Sequence, residues 1–209
     1  MLEYIKNVPS GQGDDAELPL VIVMHGRGAD ANDLADIAPY LDQGYRFLFP
    51  NAPKPFEVYP GMSFGFSWFD GWPAEPESFR KSRELVLELL DHVLEQYPTP
   101  PGKVIICGFS QGGMMALDTG FRTDKAIAGI VCMSAGLNES DLPPFKKEIP
   151  VLVTHGTDDE VIPVNDARRS RAVLEEHGID TEYHEFPMGH QVTAESLGVV
   201  RHFMAARLL

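Results

Sequence analysis

Short apolar runs alternate with segments of helical periodicity along nearly the whole chain, and this alternation restricts the fold more than any other feature. Runs of consecutive apolar residues are typical of strands buried on both faces of a parallel sheet. The strand-like runs cover 18–26, 45–53, 103–109, 126–134, 149–156 and 179–187, and the helix-like segments cover 77–97, 111–121, 165–178 and 194–209. The alternation predicts an α/β fold, with a mostly parallel central sheet and helices on both of its faces.

Length and charge narrow the domain organisation and the partners. The 209 residues contain no repeat and no linker, so one domain over 1–209 is expected. With 31 acidic and 17 basic side chains the net charge is −14, which argues against nucleic acid as a partner, since that needs a positive face. No apolar run approaches the roughly 18 residues of a membrane span, so no membrane insertion is expected. Cys107 and Cys132 lie in strand-like runs, and as buried free thiols they favour a cytoplasmic location.

One serine stands where a strand-like run meets a helix-like segment. It is Ser110, in the stretch Gly-Phe-Ser-Gln-Gly at 108–112. A catalytic serine at such a sharp turn needs glycines around it because there is little room for side chains. The helix that follows directs backbone N–H groups and the positive end of its dipole at the same place. We therefore interpret Ser110 as a nucleophile rather than as a polar residue of a tight turn.

The segment His-Gly-Arg-Gly-Ala-Asp at 25–30 also follows a strand-like run. Glycines at this position allow backbone amides to face a developing oxyanion. The expected donors are the N–H groups of Arg27 and Gln111, the latter directly after the serine. The alternative is that 25–30 is only a turn between a strand and a helix. His25 precedes the serine in the chain, and we expect it to be a structural residue.

An acid and a base are available downstream of the serine. Because ligands bind beyond the carboxyl ends of parallel strands, the loops after 149–156 and 179–187 are the places to search. His190 lies in the second loop and is the candidate general base. In the first loop Asp158 and Asp159 compete for the role of the acid, with Glu160 as a weaker candidate, and spacing leaves the choice open. The sequence contains neither a ligand spacing typical of zinc sites nor a nucleotide-binding fingerprint, so no cofactor is expected.

The irregular stretch 50–77 is rich in proline, glycine and aromatic residues and is interpreted as a binding-site loop. Its aromatic residues are the candidate walls of the substrate site, although half of them can simply pack the loop onto the core. They are Phe64, Phe66, Trp68 and Trp72. The segment 135–148 is too short to form a cap domain, so an open site for a small apolar acyl group is expected. A further hypothesis is that Arg27 engages a negatively charged substrate.

Six segments together resemble the phospholipase/carboxylesterase branch of the α/β-hydrolases, which includes acyl-protein thioesterases and small bacterial carboxylesterases. They are 25–30, 50–53, 67–70, 108–113, 155–163 and 187–192, in the order that this family has them. The resemblance implies an α/β-hydrolase fold without a cap. It also identifies Asp159 as the acid, since the acid of the family lies four residues after the histidine of its His-Gly segment. Relatives of the thioesterase type often carry an apolar residue in place of Arg27.

The resemblance implies a serine carboxylesterase that hydrolyses small to medium acyl esters through Ser110, His190, Asp159 and an acyl-enzyme. The alternative is a thioesterase or lysophospholipase, acting on acyl-proteins or small molecules. A remote alternative is a catalytically silent binding protein with the hydrolase fold. The expected partner is a small-molecule ester, and the resemblance favours a homodimer as the assembly.

Overall fold

A mostly parallel sheet runs through the protein, described here from a computed structural model of residues 1–41, 44–59 and 61–209. Its strands are β1 (Tyr4–Asn7), β2 (Leu20–Met24), β3 (Arg46–Pro50), β6 (Val104–Phe109), β7 (Gly129–Met133), β8 (Val151–Gly156) and β9 (Thr181–Phe186), and a separate hairpin is formed by β4 (Lys54–Tyr59) and β5 (Met62–Ser67). The order across the main sheet is β1-β3-β2-β6-β7-β8-β9. Only the edge strand β1 is antiparallel to its neighbour.

Helices cover both faces of this sheet, as the sequence predicts. They are α1 (Ala31–Ala35), α2 (Ala38–Leu41), α3 (Pro76–Gln96), α4 (Gln111–Arg122), α5 (Val164–Glu176) and α6 (Ala194–Leu208). Apolar residues of α3, α4 and α5 fill the core on one face, and those of α1, α2 and α6 fill the core on the other. Successive strand residues alternate between the two cores, because side chains of a strand point to opposite faces. No helix of the described residues is long and apolar enough to cross a membrane.

The stretch 50–77, predicted as an irregular loop, contains the hairpin of β4 and β5. Its side chains are mostly exposed, so these strands lack the continuous apolar pattern that marks the strands of the main sheet. Proline and glycine inside the segment hide the strand signal further. The hairpin is joined to the carboxyl edge of the main sheet through a β-bridge between Phe66 and Ala29, which lies in the loop after β2. The prediction of an irregular loop is therefore wrong for this part.

The segment between β7 and β8 contains no helix or strand over residues 135–150, all of which the structure describes. The carboxyl edge of the sheet is accordingly not covered by an inserted cap, in agreement with the predicted fold class. Cys107 and Cys132 are buried and free, as expected. They belong to the cores on opposite faces of the sheet, which keeps the two thiols apart.

Candidate active site

Ser110 lies in a tight turn between β6 and α4, with φ 55° and ψ −123°. Such a conformation is costly for a residue with a side chain, and it persists only when the surroundings impose it. Here the conformation is imposed by the close approach of the backbone at Gly108, Gly112 and Met24. A Cβ on Gly108 would stand 2.1 Å from the carbonyl oxygen of Gly112, and one on Gly112 would stand 2.1 Å from that of Met24. Glycine is therefore required at both positions.

A hydrogen-bonded chain joins Ser110, His190 and Asp159. The Nε2 atom of His190 is 2.9 Å from the Oγ of Ser110, and its Nδ1 is 2.8 Å from the Oδ2 of Asp159. Because a carboxylate only accepts hydrogen bonds, Nδ1 carries the proton and Nε2 is left with its lone pair toward the serine hydroxyl. Nε2 is thus positioned to receive the proton of Ser110.

The carboxylate of Asp159 is buried and held on both oxygens. Its Oδ1 accepts the backbone N–H groups of Val161 and Ile162, each at 2.9 Å. Its Oδ2 accepts from His190 and also lies 3.4 Å from the Nε2 of His155, a fully buried histidine that donates to the carbonyl of Ile162 at 2.8 Å. These donors fix the orientation of the carboxylate toward His190.

The other two acidic candidates stand apart from this chain. Asp158 and Glu160 are exposed, and within the described residues the carboxylate of neither one accepts a hydrogen bond. The backbone N–H of Asp158 donates to the carbonyl of Met188 at 3.1 Å, which links this turn to the loop that carries His190. Spacing in the sequence left the choice open, and the geometry brings only Asp159 to His190.

Two backbone N–H groups are free near Ser110. Those of Arg27 and Gln111 donate to no other group in the part of the chain that the structure describes. Both residues line, with Ser110, a cavity of about 310 Å³. By contrast, the N–H of Ser110 itself is used, because it donates to the carbonyl of Met133 at 2.9 Å. The arrangement therefore offers two donors to an oxygen bound beside the serine.

The side chain of Gln111 ties the end of the hairpin to the site. Its Oε1 accepts from the hydroxyl of Ser67 at 3.1 Å and from the N–H of Trp68 at 3.0 Å, and its Nε2 donates to the carbonyl of Phe69 at 2.9 Å. A buried amide with its oxygen and nitrogen both bonded holds both segments rigidly. The N–H of Gln111 is consequently fixed in direction.

The four aromatic candidates for the substrate walls have different positions. Trp72 is 53% exposed and lines the cavity at Ser110. Phe64 is exposed on the hairpin, and Phe66 is partly buried against the core and lines a different cavity, together with the first three residues of the chain. Trp68 is a core residue, 1% exposed, whose Nε1–H donates to the carbonyl of His25 at 2.8 Å. Of the four, Trp72 alone is brought to a cavity with the serine.

Two neighbours of the site were not predicted. The ring of Phe109 lies against the imidazole of His190, with centroids 4.9 Å apart, and His155 lies behind Asp159 as described above. The sequence places Phe109 directly before the serine and His155 directly after a strand, but nothing in it shows which loop each side chain meets. In the described part of the chain, no group of three His, Cys, Asp or Glu side chains is arranged to hold a metal ion.

Comparisons with known proteins show which family the chain resembles. The sequence model of the phospholipase/carboxylesterase family matches residues 9–208. The chain is 29% identical to acyl-protein thioesterase 1 of Neurospora crassa, over 90% of this chain and 86% of that protein. It is 29% identical to a probable carboxylesterase of Oryza sativa subsp. japonica, over 90% and 88% of the two chains. The crystal structure of esterase PE8 superposes with a TM-score of 0.82 at 28% identity, over 99% of this chain and 98% of that one.

His25 gives the stability of this region a pH dependence. Its Nδ1–H donates to the carbonyl of Gly26 at 2.7 Å and its Nε2 accepts the N–H of Ala52 at 3.0 Å, which fixes a neutral ring. Burial lowers the pKa of His25 below its usual 6.5. Below pH 6.5 His25 is therefore protonated more readily in the unfolded chain than in the folded protein. The free energy of unfolding decreases as the pH falls through this value.

We expect His25→Gln to flatten the pH dependence of the free energy of unfolding below pH 6.5. The wild type should lose up to about 1.4 kcal/mol more per pH unit than the variant, which is the effect of one proton. Urea unfolding of both proteins between pH 5 and 8 measures the difference between their free energies of unfolding. The contributions of the other six histidines are common to both proteins and cancel in this difference. Parallel curves for the two proteins would contradict the prediction.

Proposed function

The chain belongs to the phospholipase/carboxylesterase family of serine hydrolases, and from this premise we propose that it hydrolyses esters of small to medium acyl groups through Ser110, His190 and Asp159. The observation that supports this most is the continuous hydrogen-bonded chain from the serine hydroxyl to the buried carboxylate. A serine hydroxyl is a poor nucleophile at its ordinary pKa, so a base at hydrogen-bonding distance is what the reaction requires.

In the first half of the reaction the Oγ of Ser110 attacks the acyl carbon, while its proton passes to the Nε2 of His190. Asp159 accepts from Nδ1 throughout and stabilises the imidazolium. The carbonyl oxygen becomes an oxyanion, which receives the N–H groups of Arg27 and Gln111. In other hydrolases, the loss of kcat on removal of one such donor shows that the donor lowers the activation barrier by about 3 kcal/mol. The alcohol leaves with the proton from Nε2.

In the second half, water attacks the acyl-serine and gives its proton to the Nε2 of His190. The same two N–H groups stabilise the second oxyanion, and its collapse returns the proton to Ser110. No step requires a group beyond these side chains and backbone donors. The cavity beside Ser110, with Trp72, Val161 and Ile162 in its wall, supports an acyl group of small to medium size.

A thioesterase activity fits the same site equally well. The attack on the acyl carbon is identical, and the leaving thiolate needs less protonation than an alcohol. The relative in Neurospora crassa is named an acyl-protein thioesterase, and no inserted cap between β7 and β8 covers the carboxyl edge of the sheet. An uncovered edge is what a protein-borne acyl group would need. Esters and thioesters of one acyl group must therefore be compared directly.

We propose that the protein is cytoplasmic. The argument for this compartment is chemical: Cys107 and Cys132 are free, fully buried and on opposite faces of the sheet. Burial raises the pKa of Cys132 to about 12, so this thiol stays protonated and unreactive. Both cysteines are thus packing residues, as in proteins of reducing compartments.

We expect Ser110→Ala to lower kcat by at least about 10⁴-fold on every substrate that the wild type turns over. The substrates are p-nitrophenyl esters with acyl chains of two to twelve carbons, together with thioesters of the same acids. The chain-length optimum measures the acyl site, and the ratio of ester to thioester turnover separates the two activities. An unchanged melting temperature controls for folding. Turnover in Ser110→Ala within tenfold of the wild type would contradict the proposal.

Asp159→Asn and Asp158→Asn form a matched pair, because both remove one carboxylate from the same turn. We expect Asp159→Asn to lower kcat by about 10⁴-fold, since an amide at this place favours the wrong tautomer of His190. Asp158→Asn should stay within about twofold, because its carboxylate is exposed and contacts no part of the site. Steady-state rates on the best ester measure both, and equal losses in the two variants would contradict the assignment.

A further inference from the structure

Arg27 has a position that no other cation of the described chain shares. It lines the cavity that holds Ser110 and Gln111, a second cavity of about 280 Å³ with Ser110 and His190, and a polar cleft of about 430 Å³ with Lys54 and others. Its backbone N–H is one of the two donors proposed for the oxyanion. The guanidinium therefore stands within one arginine side chain's length of the reacting carbonyl.

The guanidinium of Arg27 is not neutralised by the protein. It lies over the ring of Phe56, 4.6 Å from the centroid, and in the described part of the chain it donates no hydrogen bond and pairs with no carboxylate. Other arginines are engaged, such as Arg83 with Asp118. A planar guanidinium stacked on an aromatic ring keeps its N–H donors directed outward, where they match the two oxygens of a carboxylate.

Other charged residues line the same cavities as Arg27. Lys54, the other cation of the polar cleft, is held by Asp70. Asp33, in the cavity with His190, uses its Oδ2 to accept the N–H of Asp30 at 2.7 Å. Glu57 lines the polar cleft and has no cation partner among the described residues. Arg27 is thus the available cation of this region, and Glu57 is the carboxylate that opposes an anionic ligand.

The net charge of the chain makes this arrangement informative. At −14 the protein repels anions as a whole, so an acidic substrate needs a local cation at the site. We propose that the substrate is an ester or thioester that bears a carboxylate, and that Arg27 binds this carboxylate beside the reacting carbonyl. The inference rests on the proposed hydrolysis at Ser110 and names the class of its substrate. The carboxylate belongs either to the acyl group or to the leaving group.

The test compares anionic and neutral esters of matched shape. For the acyl side, p-nitrophenyl monoesters of succinic, glutaric and adipic acids are paired with neutral p-nitrophenyl esters of equal chain length. For the leaving-group side, 4-acetoxybenzoate is paired with 4-acetoxybenzamide. For the wild type and for each variant, the value of kcat/KM on the anionic ester is divided by the value on the matched neutral ester. The ratio cancels any general effect of a substitution on catalysis.

We expect Arg27→Met to lower this ratio about fivefold to tenfold, either for the acyl-side pair of esters or for the leaving-group pair. A decrease of this size is expected for the loss of a charge-assisted contact in a partly solvated site. Arg27→Lys, which keeps the charge, should retain part of the ratio. Glu57→Gln should raise the ratio, since it removes the opposing carboxylate. Arg201→Met is the matched control: Arg201 is an exposed arginine of α6 without an ion pair in the described chain, and its loss changes the net charge equally.

Ionic strength supplies a second readout. The ratio of the wild type divided by that of Arg27→Met should fall toward one as salt is raised from 0.05 to 0.5 M, because salt screens the contact with Arg27 only in the wild type, whereas it screens the repulsion by the net charge in both proteins. A ratio in Arg27→Met within twofold of the wild type on both sides, or a difference between the two proteins that salt does not change, would overturn the inference. Turnover of neutral esters that still depends on Ser110 would then leave the proposed hydrolysis standing, so the two failures are distinguishable.

Discussion

The close approach of β6, α4 and the end of β2 is the constraint on which the rest of the site depends. Gly108 and Gly112 let three backbone segments meet at distances that a single Cβ would prevent. This contact holds Ser110 in its unfavourable conformation, and the bond from its N–H to the carbonyl of Met133 links the turn to β7. The hydroxyl is thereby presented to His190, while Gln111, the first residue of α4, lines a cavity together with Ser110.

Residues far apart in the chain meet at one edge because the strands that carry them are parallel neighbours. The order β2-β6-β7-β8-β9 puts the ends of β2, β6, β8 and β9 on the same side of the sheet. Arg27, Ser110, Asp159 and His190 each follow one of these ends. A further set of buried bonds, made by Gln111 and His25, holds the segments before and after the hairpin at this edge. Rigid backbone support of this kind keeps donors aimed at the reacting atoms.

Strands β2, β3, β6, β7 and β8 were predictable because each is a nearly continuous buried run, and helices α3 to α6 because each contributes apolar residues to one of the two cores. β9 was also predicted, although most of its side chains are only half-buried. The edge strand β1 and the hairpin were not predicted, and neither contains a continuous buried run. Ser110 and His190 followed from their places after strands. The choice of Asp159 over Asp158 needed the resemblance, because adjacent carboxylates in a turn differ only in direction. Trp68 could not be separated from Trp72, since burial of either depends on contacts made by distant segments.

The central claim is that Ser110 carries the acyl group during the reaction. Mass spectrometry of the enzyme, quenched in acid within the first turnovers of a p-nitrophenyl ester and digested with a protease, measures this directly. The account predicts that the peptide containing Ser110 gains the mass of the acyl group, and that the same adduct forms from the thioester of the same acid. Release of product without any adduct on that peptide, or an adduct confined to another residue, would contradict it.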